Sequence, residues 1–572
     1  MNNRFKNSLG VALLFFSLFA HAQKATPPLD IPLLLSGNFG ELRGSHFHAG
    51  LDIKTQGRQG FPVKSILAGS IRRIRVTVTG YGKGLYIDHA DGTTSVYAHL
   101  QKFAPKIEQI IKEQQYKKEK FLIQSYFKTN ELTVEQGEVI GYSGNTGGSL
   151  GPHLHFELRD TKAQTPLNPL KLGYDIQDTQ RPVIRGLYQY DLNDSKQKEK
   201  NEIRLIRKND STYTSSIQSW YGKTGIGIRM YDRQDLSYNK NGVYQVAVRL
   251  NGKEMIQYTF DKISFDDGKF ISTLIDYKTY VTESIRIQKL YRNLPYGFSF
   301  LSKGTPNGIL NFEAGRSYHL QIILEDFHGN KTYVEIYIEG KKEAATNKEK
   351  KIQITENIVN PELDYLFEFE NQEVYLPKNT FFEPVDFKIR ATKDSLFVGS
   401  KEDAPQRTFE IQFKTPEIDS LEINLWSIAR LNKKKKLDYV HSVAKDGKRI
   451  SKGGIPGIYV LKKDTLAPSI TPLNFKPEQW LSNYAFLKLK IEDDFSGIKS
   501  YKGTINGQWI LLEHEPKNNT LTFAFNDIDF DQSQLDFKLE VEDQQGNISS
   551  YEATIFKKAK VVKNNQLTPL QK

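Results

Sequence analysis

His153-Leu154-His155-Phe156-Glu157-Leu158 alternates polar and apolar residues without a break. A period of two marks a half-buried β-strand, because successive side chains leave a strand on opposite faces. Leu154, Phe156 and Leu158 are therefore predicted to enter a core, while both imidazoles and the carboxylate share the other face. Two further islands lie upstream, His48-Ala49-Gly50-Leu51-Asp52 and Tyr97-Ala98-His99-Leu100. Of 11 histidines in 572 residues, six fall between His46 and His155, so the imidazoles are gathered rather than scattered.

His48 and Asp52 are four apart, but Gly50 and the alternation of Leu51 with Ile53 argue against a helix. A turn running into a strand is expected, with His48 before the strand and Asp52 on it. Two ligands from this island and His155 from the alternating strand would make a three-ligand metal site. The chain has no cysteine, and two imidazoles with one carboxylate form a zinc set of nitrogen and oxygen donors. Three protein ligands leave the fourth position open for water, which is the catalytic form of a zinc site. His46 alternates with His48 and is the second candidate for that ligand position. His89, beside Asp88 and the Asp91-Gly92 turn signal, reads as a hairpin-end residue. His21, His319, His328, His441 and His514 are dispersed and need no functional explanation.

These residues resemble the lysostaphin-type (LytM-like) zinc metalloendopeptidases of bacterial cell walls. The resemblance covers residues 37–170. It rests on Phe47-His48-Ala49-Gly50-Leu51-Asp52-Ile53, Gly82-Lys83-Gly84-Leu85-Tyr86-Ile87-Asp88-His89 and Thr94-Ser95-Val96-Tyr97-Ala98-His99-Leu100. It closes with Gly137-Glu138-Val139-Ile140-Gly141-Tyr142-Ser143-Gly144-Asn145-Thr146-Gly147 and Gly151-Pro152-His153-Leu154-His155-Phe156-Glu157-Leu158. The resemblance implies an antiparallel-β peptidase domain in which His48, Asp52 and His155 hold Zn2+. His99 and His153 would then flank the metal-bound water and the scissile carbonyl. All five positions are filled, unlike in metal-free relatives that only activate other hydrolases.

The function so implied is a secreted endopeptidase that cuts amide bonds in peptidoglycan cross-linking peptides by attack of zinc-bound water. Zinc with two neutral imidazoles and one carboxylate keeps a net positive charge, acidifies water and polarises a carbonyl. Histidine serves near neutral pH either as proton carrier or as partner of the oxyanion. Which of His99 and His153 is the general base stays open. Glu157 is either a hydrogen-bond partner of His155 or a plain strand-end carboxylate. Two other functions remain in view. One is a non-enzymatic or latent cell-wall-binding regulator that keeps the metal site. The other is a zinc peptidase acting on exported proteins, since metal chemistry does not distinguish one amide from another.

Arg4 and Lys6, an apolar run over residues 9–20 and Ala20-His21-Ala22 read as a secretory signal peptide, residues 1–22, cleaved after Ala22. The run is too short for a comfortable membrane span, and no cysteine follows it for a lipid anchor. A periplasmic or secreted protein with no transmembrane segment is expected, without disulfides in its oxidising compartment. The formal charge of +12 reads as a basic solvated surface, with attraction to anionic wall polymers as the alternative. The lysines are spread along the chain, so nucleic acid is not an expected partner.

With 38% hydrophobic and 12% aromatic residues, the chain has room for several cores and favours β structure. Residues 101–133 interrupt the peptidase pattern. Phe103, Ile107, Ile110 and Ile111 recur there at helical spacing against Lys106, Glu108, Lys112 and Glu113, which predicts an amphipathic helix reaching Lys120. This insertion is expected to form one wall or a lid of the substrate groove, the alternative being a helix packed on the rim.

Beyond residue 172 the chain repeats itself. Asp178-Thr179-Gln180-Arg181-Pro182 is answered by Asp464-Thr465-Leu466-Ala467-Pro468, and Asn241-Gly242-Val243 by Ser496-Gly497-Ile498. Leu324-Glu325-Asp326-Phe327-His328-Gly329-Asn330 is answered by Val541-Glu542-Asp543-Gln544-Gln545-Gly546-Asn547. Two copies of one β-sandwich, similar to bacterial immunoglobulin-like (Ig-like) domains, are the economical reading. The expected plan is mainly β. The peptidase domain (23–172) precedes an Ig-like sandwich (173–340), a charged linker (341–351) and a β-rich domain (352–463). A second Ig-like sandwich (464–556) and a tail (557–572) follow. The lysine run from Lys433 to Lys436 reads as a hairpin tip, with an anionic-polymer site as the alternative. No module after the peptidase carries a catalytic constellation. They are expected to position or restrain the peptidase, or to hold a protein partner.

Overall fold

A computed structural model describes residues 24–44, 46–193, 200–302, 304–342, 357–416 and 422–558. The expected signal peptide, most of the expected charged linker and most of the expected tail lie outside the described residues. The described chain is mainly β, built of antiparallel sheets with a few short helices. No helix among the described residues is long and apolar enough to cross a membrane.

The N-terminal part contains β1 (Leu35–Gly37), β2 (Leu51–Lys54), β3 (Pro62–Lys64), β4 (Gly69–Val76), β5 (Lys83–His89) and β6 (Thr93–Leu100). There follow β7 (Lys102–Phe103), α1 (Pro105–Lys118), β8 (Ile123–Tyr126), β9 (Thr133–Val134), β10 (Val139–Tyr142), β11 (His153–Asp160) and β12 (Pro166–Leu167). The main sheet runs β1-β2-β11-β6-β5-β4-β8, and β3-β10-β7 form a smaller one. β11 is the alternating strand of the sequence, and it lies between β2 and β6. That order brings the three histidine islands together.

The alternation is satisfied as predicted. Leu154 and Phe156 of β11 join Leu51 and Ile53 of β2 and Tyr97 of β6 in a core from which water is excluded. Burial of each such side chain contributes roughly 1.5–3 kcal/mol. At the entry to β2 a Cβ on Gly50 would lie 2.2 Å from the Phe156 carbonyl oxygen, so the close approach of the two backbones requires glycine.

β6 departs from a plain strand near its end. Lys83 pairs with Leu100 and Leu85 with Tyr97, so Ala98 and His99 together oppose Gly84. Two residues against one make a β-bulge, which re-aims a side chain. His99 takes a left-handed φ of 59°. Regular alternation would send its ring to the core side with Tyr97; the bulge turns it toward His153 instead.

The two sequence repeats each fold as a pair of sheets. The first pairs a sheet holding Val183–Asp191 and Gly222–Tyr231 with one holding Gln245–Leu250, Ser317–Glu325 and Lys331–Gly340. The second packs two four-stranded sheets over a core that includes Leu487, Ile491, Phe523, Phe537 and Val541. Equivalent hairpins turn on Asn251-Gly252 (φ 50° and 78°) and Asn506-Gly507 (φ 49° and 77°), the paired positive φ values of a type I′ turn. Between the repeats lie two five-stranded sheets. There Lys433 to Lys436 are exposed in the turn joining Trp426–Leu431 to Leu437–Val440.

The helical insertion packs between the peptidase core and the second repeat. α1 buries Ile107 and Ile111 in the peptidase core, and its outer contacts go to the second repeat. Lys112 meets Asp527 at 2.5 Å, Tyr116 stands edge-on to Trp509 at 5.3 Å, and Glu119 faces Lys502 at 3.9 Å. The hydrophobic stripe that marks the helix in sequence says that it is anchored, but not what covers its far side.

Candidate metal centre

The register of the sheet builds the site. His155 of β11 is the direct cross-strand partner of Asp52 on β2, and directly opposed residues of an antiparallel pair project from the same face. His48, in the turn before β2, completes the group. His48 Nε2 is 3.0 Å from Asp52 Oδ1 and 3.1 Å from His155 Nδ1, and His155 Nδ1 is 2.8 Å from Asp52 Oδ1. All three residues are buried.

Hydrogen bonds on the far side of each ring assign the tautomers. His48 Nδ1 donates to the Asn38 carbonyl at 2.8 Å, and His155 Nε2 donates to Glu157 Oε1 at 2.9 Å. The remaining nitrogens therefore present lone pairs to one point, together with a carboxylate oxygen. Ligand atoms about 2.0–2.1 Å from a tetrahedral zinc lie about 3.3 Å from one another, close to the separations found. Three converging lone pairs repel unless a cation lies among them, so the donor set fits a metal ion. Electrostatics agree. When no cation is present protons compete for the same point: burial works against charge on Asp52, but His48, His153 and His155, when protonated toward it, outweigh burial and hold the carboxyl far below its usual range. Burial likewise opposes charge on His155, yet Asp52 and Glu157 raise it to about 9. The pocket favours positive charge where the three atoms meet.

Two more imidazoles border this point. His153 Nδ1 donates to the Gly151 carbonyl at 2.8 Å, which leaves Nε2 as an acceptor 3.4 Å from Asp52 Oδ1. His99 Nδ1 donates to the Thr146 carbonyl at 2.8 Å, so its Nε2 is also an acceptor. The His99 ring is 4.8 Å from that of His153 and 5.8 Å from that of His155. Burial lowers His99 to about 3, helped by the neighbouring His155 and His153, which keeps the ring neutral.

All five residues singled out in the sequence thus converge. His46 does not join them: it is exposed, whereas His48 is buried in the cluster. His89 closes a hairpin, with Nδ1 3.0 Å from the Ala68 carbonyl and Nε2 2.7 Å from Ser95 Oγ. Glu157 is the hydrogen-bond partner of His155 and is itself clamped, by Arg159 Nε at 2.6 Å and by the Tyr81 hydroxyl. Sequence reasoning passed over Arg159, although it continues the alternation His153, His155, Glu157 along one face. It also missed Arg43, whose guanidinium binds the second oxygen of Asp52 at 2.7 Å, and Asn38, which acts through its backbone and so leaves no side-chain signal.

Residues 46–116 and 121–169 match the model of Peptidase family M23. The chain carries an M23 peptidase domain. A 126-residue segment is 34% identical to the DD-carboxypeptidase/endopeptidase Mpg of Neisseria meningitidis serogroup B, covering 22% of this chain and 23% of that protein. A 122-residue segment is 32% identical to the cell division protein DipM of Caulobacter vibrioides, covering 21% of this chain and 16% of that protein. Among solved structures, the catalytic domain of lysostaphin from Staphylococcus simulans is 25% identical over 24% of this chain and 90% of that domain, with a TM-score of 0.18. The chain spans less than a quarter of the length of these two curated relatives.

Both repeats brace the M23 domain beside the His48-Asp52-His155 cluster. In the first, Asn38 Oδ1 accepts from Gly242 N and Asn38 Nδ2 donates to Gly242 O, each at 2.8 Å. Gln234 holds β1 by accepting from Leu35 N and donating to Leu33 O. Phe47, next to His48, packs against Phe300 at 5.2 Å, with Phe260 and Phe298 beyond. In the second repeat, Glu513 receives the buried ammonium of Lys83 at 3.0 and 3.1 Å, and Lys517 donates to the Asn145 carbonyl. The Lys83 backbone N–H in turn donates to Thr146 Oγ1, on the residue whose carbonyl orients His99.

Proposed function

We infer that the protein is an exported zinc endopeptidase that hydrolyses amide bonds in the cross-linking peptides of peptidoglycan. The observation that supports this most is the convergence of His48 Nε2, Asp52 Oδ1 and His155 Nδ1 within 3.1 Å, with His99 and His153 at its rim. The M23 match and the name of the Mpg relative point the same way. On this reading residues 1–22 direct export, and residues 173–340 and 464–556 are Ig-like modules on either side of a β-rich domain.

His48, Asp52 and His155 would hold zinc, which when bound supplies a Lewis acid for the scissile carbonyl and lowers the pKa of water. The other steps belong to the protein. Arg43 keeps Asp52 anionic and fixes which oxygen it offers. Glu157, held by Arg159 and Tyr81, fixes the His155 ring and its tautomer. Nε2 of either His153 or His99 accepts a proton from the attacking water, and the other ring steadies charge on the tetrahedral oxygen once its own Nε2 carries a proton. The Thr146 and Gly151 carbonyls hold Nδ1–H of each ring, so that Nε2 is the nitrogen facing the reacting atoms.

The test is incubation of residues 23–572, loaded with one zinc, with purified peptidoglycan sacculi, followed by mass spectrometry of the soluble products. Loss of cross-linked fragments with new free peptide ends, abolished by chelation and by His153→Ala, is expected. Intact sacculi after treatment with verified zinc-loaded protein would overturn the reading in favour of a regulator or a peptidase of exported proteins.

A further inference from the structure

The two repeats share a feature that lies apart from the peptidase site. In the first, one carboxylate oxygen from each of Asp178, Asp232 and Asp326 lies within 4.8 Å of the others; in the second, Asp464, Asp493 and Asp543 do the same. Each trio gathers the segment entering the repeat, the residue after a strand (Gly222–Tyr231 or Phe486–Glu492) and a tight turn near the end of the repeat.

The hydrogen bonding matches atom for atom. Asp326 Oδ1 accepts from His328 N and Asn330 N, Asp326 Oδ2 accepts from Asn330 Nδ2, and that amide also donates to the Asp178 carbonyl. Asp543 Oδ1 accepts from Gln545 N and Asn547 N, Asp543 Oδ2 accepts from Asn547 Nδ2, and that amide also donates to the Asp464 carbonyl. These bonds hold the turns but leave other oxygens without partners. Asp232 Oδ1 and Asn241 Oδ1 are buried with no hydrogen-bond partner among the described residues, and each residue is 5% exposed. Asp232 and Asn241 exchange both backbone hydrogen bonds at 2.9 Å, so the Asn241 amide oxygen shares the face of Asp232 and is aimed at the cluster. In the second repeat Asp464 Oδ2, Asp493 Oδ1 and Ser496 Oγ are buried and unpartnered in the same sense. Ser496, which faces Asp464, occupies the sequence position of Asn241.

We propose that the trios Asp178, Asp232, Asp326 and Asp464, Asp493, Asp543 are two equivalent Ca2+ sites, one in each repeat. The donors are all oxygens, which selects a hard cation over zinc. Oxygens bound to one Ca2+ at about 2.4 Å lie at most about 4.8 Å apart, a limit that the three oxygens of each trio satisfy. Three buried carboxylates cannot stay ionised together without a counter-charge. His328 Nδ1 stands 3.8 Å from Asp178, but Gln545 takes its place in the second repeat, so the histidine is not the counter-charge common to both.

Placement gives the sites a purpose. The first closes the base of the loop from Asp232 to Asn241, which holds β1 through Gln234 and leads into Gly242, the partner of Asn38. The second lies where the chain passes from the β-rich domain into the last repeat, beside Phe495, whose ring is 5.9 Å from Tyr439.

The test is equilibrium dialysis and calorimetry of residues 23–572 with CaCl2, zinc being held at saturation so that the histidine cluster does not contribute. Wild type is expected to take up two Ca2+ and to gain Tm. Asp232→Asn and Asp493→Asn should each take up one, and the double variant none at the same concentration. Circular dichroism confirms that the variants are folded, which the isosteric amide favours. Absence of uptake by folded wild type, or uptake unchanged in the folded double variant, overturns the proposal. Equal affinity for Mg2+ overturns the choice of ion.

Discussion

The first and second repeats share a sheet plan, an Asn-Gly hairpin and an aspartate-clamped turn, yet they grip opposite sides of the metal centre by different means. The first is fused to the M23 domain. One continuous core runs from Phe156 and Leu51 through Phe47 into Phe260, Phe300 and Ile322. It steadies His48, a metal ligand in the proposed function. The second keeps its own core and lends little beyond Leu511 and Trp509 to the shared one. Its grip is mostly polar, and it steadies the loop behind His99, which borders the cluster. Ligands have to be held in one geometry whether or not substrate is present, and an apolar interface does this permanently. A contact made of charges is weaker and more easily reset, as at interfaces between domains that move.

Four substitutions break or sharpen this contrast. Phe47→Ala removes the ring that joins the two cores and is expected to cost about 3–5 kcal/mol, read as a lower denaturant midpoint accompanied by loss of zinc. Glu513→Ala leaves the Lys83 ammonium buried without its partner and should cost about 1.5–3 kcal/mol. Here zinc content should stay at one per chain while turnover on sacculi falls, and equal loss of zinc in both variants would erase the distinction. Asn38→Ala removes two hydrogen bonds to Gly242, worth about 1–2 kcal/mol together. It should weaken zinc binding about tenfold by loosening the carbonyl that orients His48, as measured by competition with a chelating dye. Thr146→Val, the mildest, removes the hydroxyl between Lys83 N and Leu100 O at a cost of about 1 kcal/mol; kcat should fall with KM unchanged.

The β11 pattern made the central strand, its core face and the shared placement of His153, His155 and Glu157 legible before any coordinates. Asp52 and His48 followed from Gly50 and the alternation beyond it. His99 was legible as a residue but not as a geometry, since its orientation comes from a bulge set by two strands together. The contacts of Asn38 with Gly242 and of Lys83 with Glu513 left no trace, because they span about 200 and 430 residues in sequence. The helical stripe of α1 predicted the helix but not the partner on its far side, because a pattern of apolar residues reports one face only. The paired aspartates were visible as a repeat, but a repeat does not say which oxygens are left over after the turns have formed.

The 430 residues between Lys83 and Glu513 also set an order in time. Contacts of long sequence separation close late in folding, and domains of a long chain form in the order in which they emerge. The His48 side of the cluster can be braced once Phe300 has emerged, whereas the His99 side waits for Glu513. The second repeat therefore acts as a completion signal written into the chain, and a product cut short before Glu513 stops as a half-braced precursor.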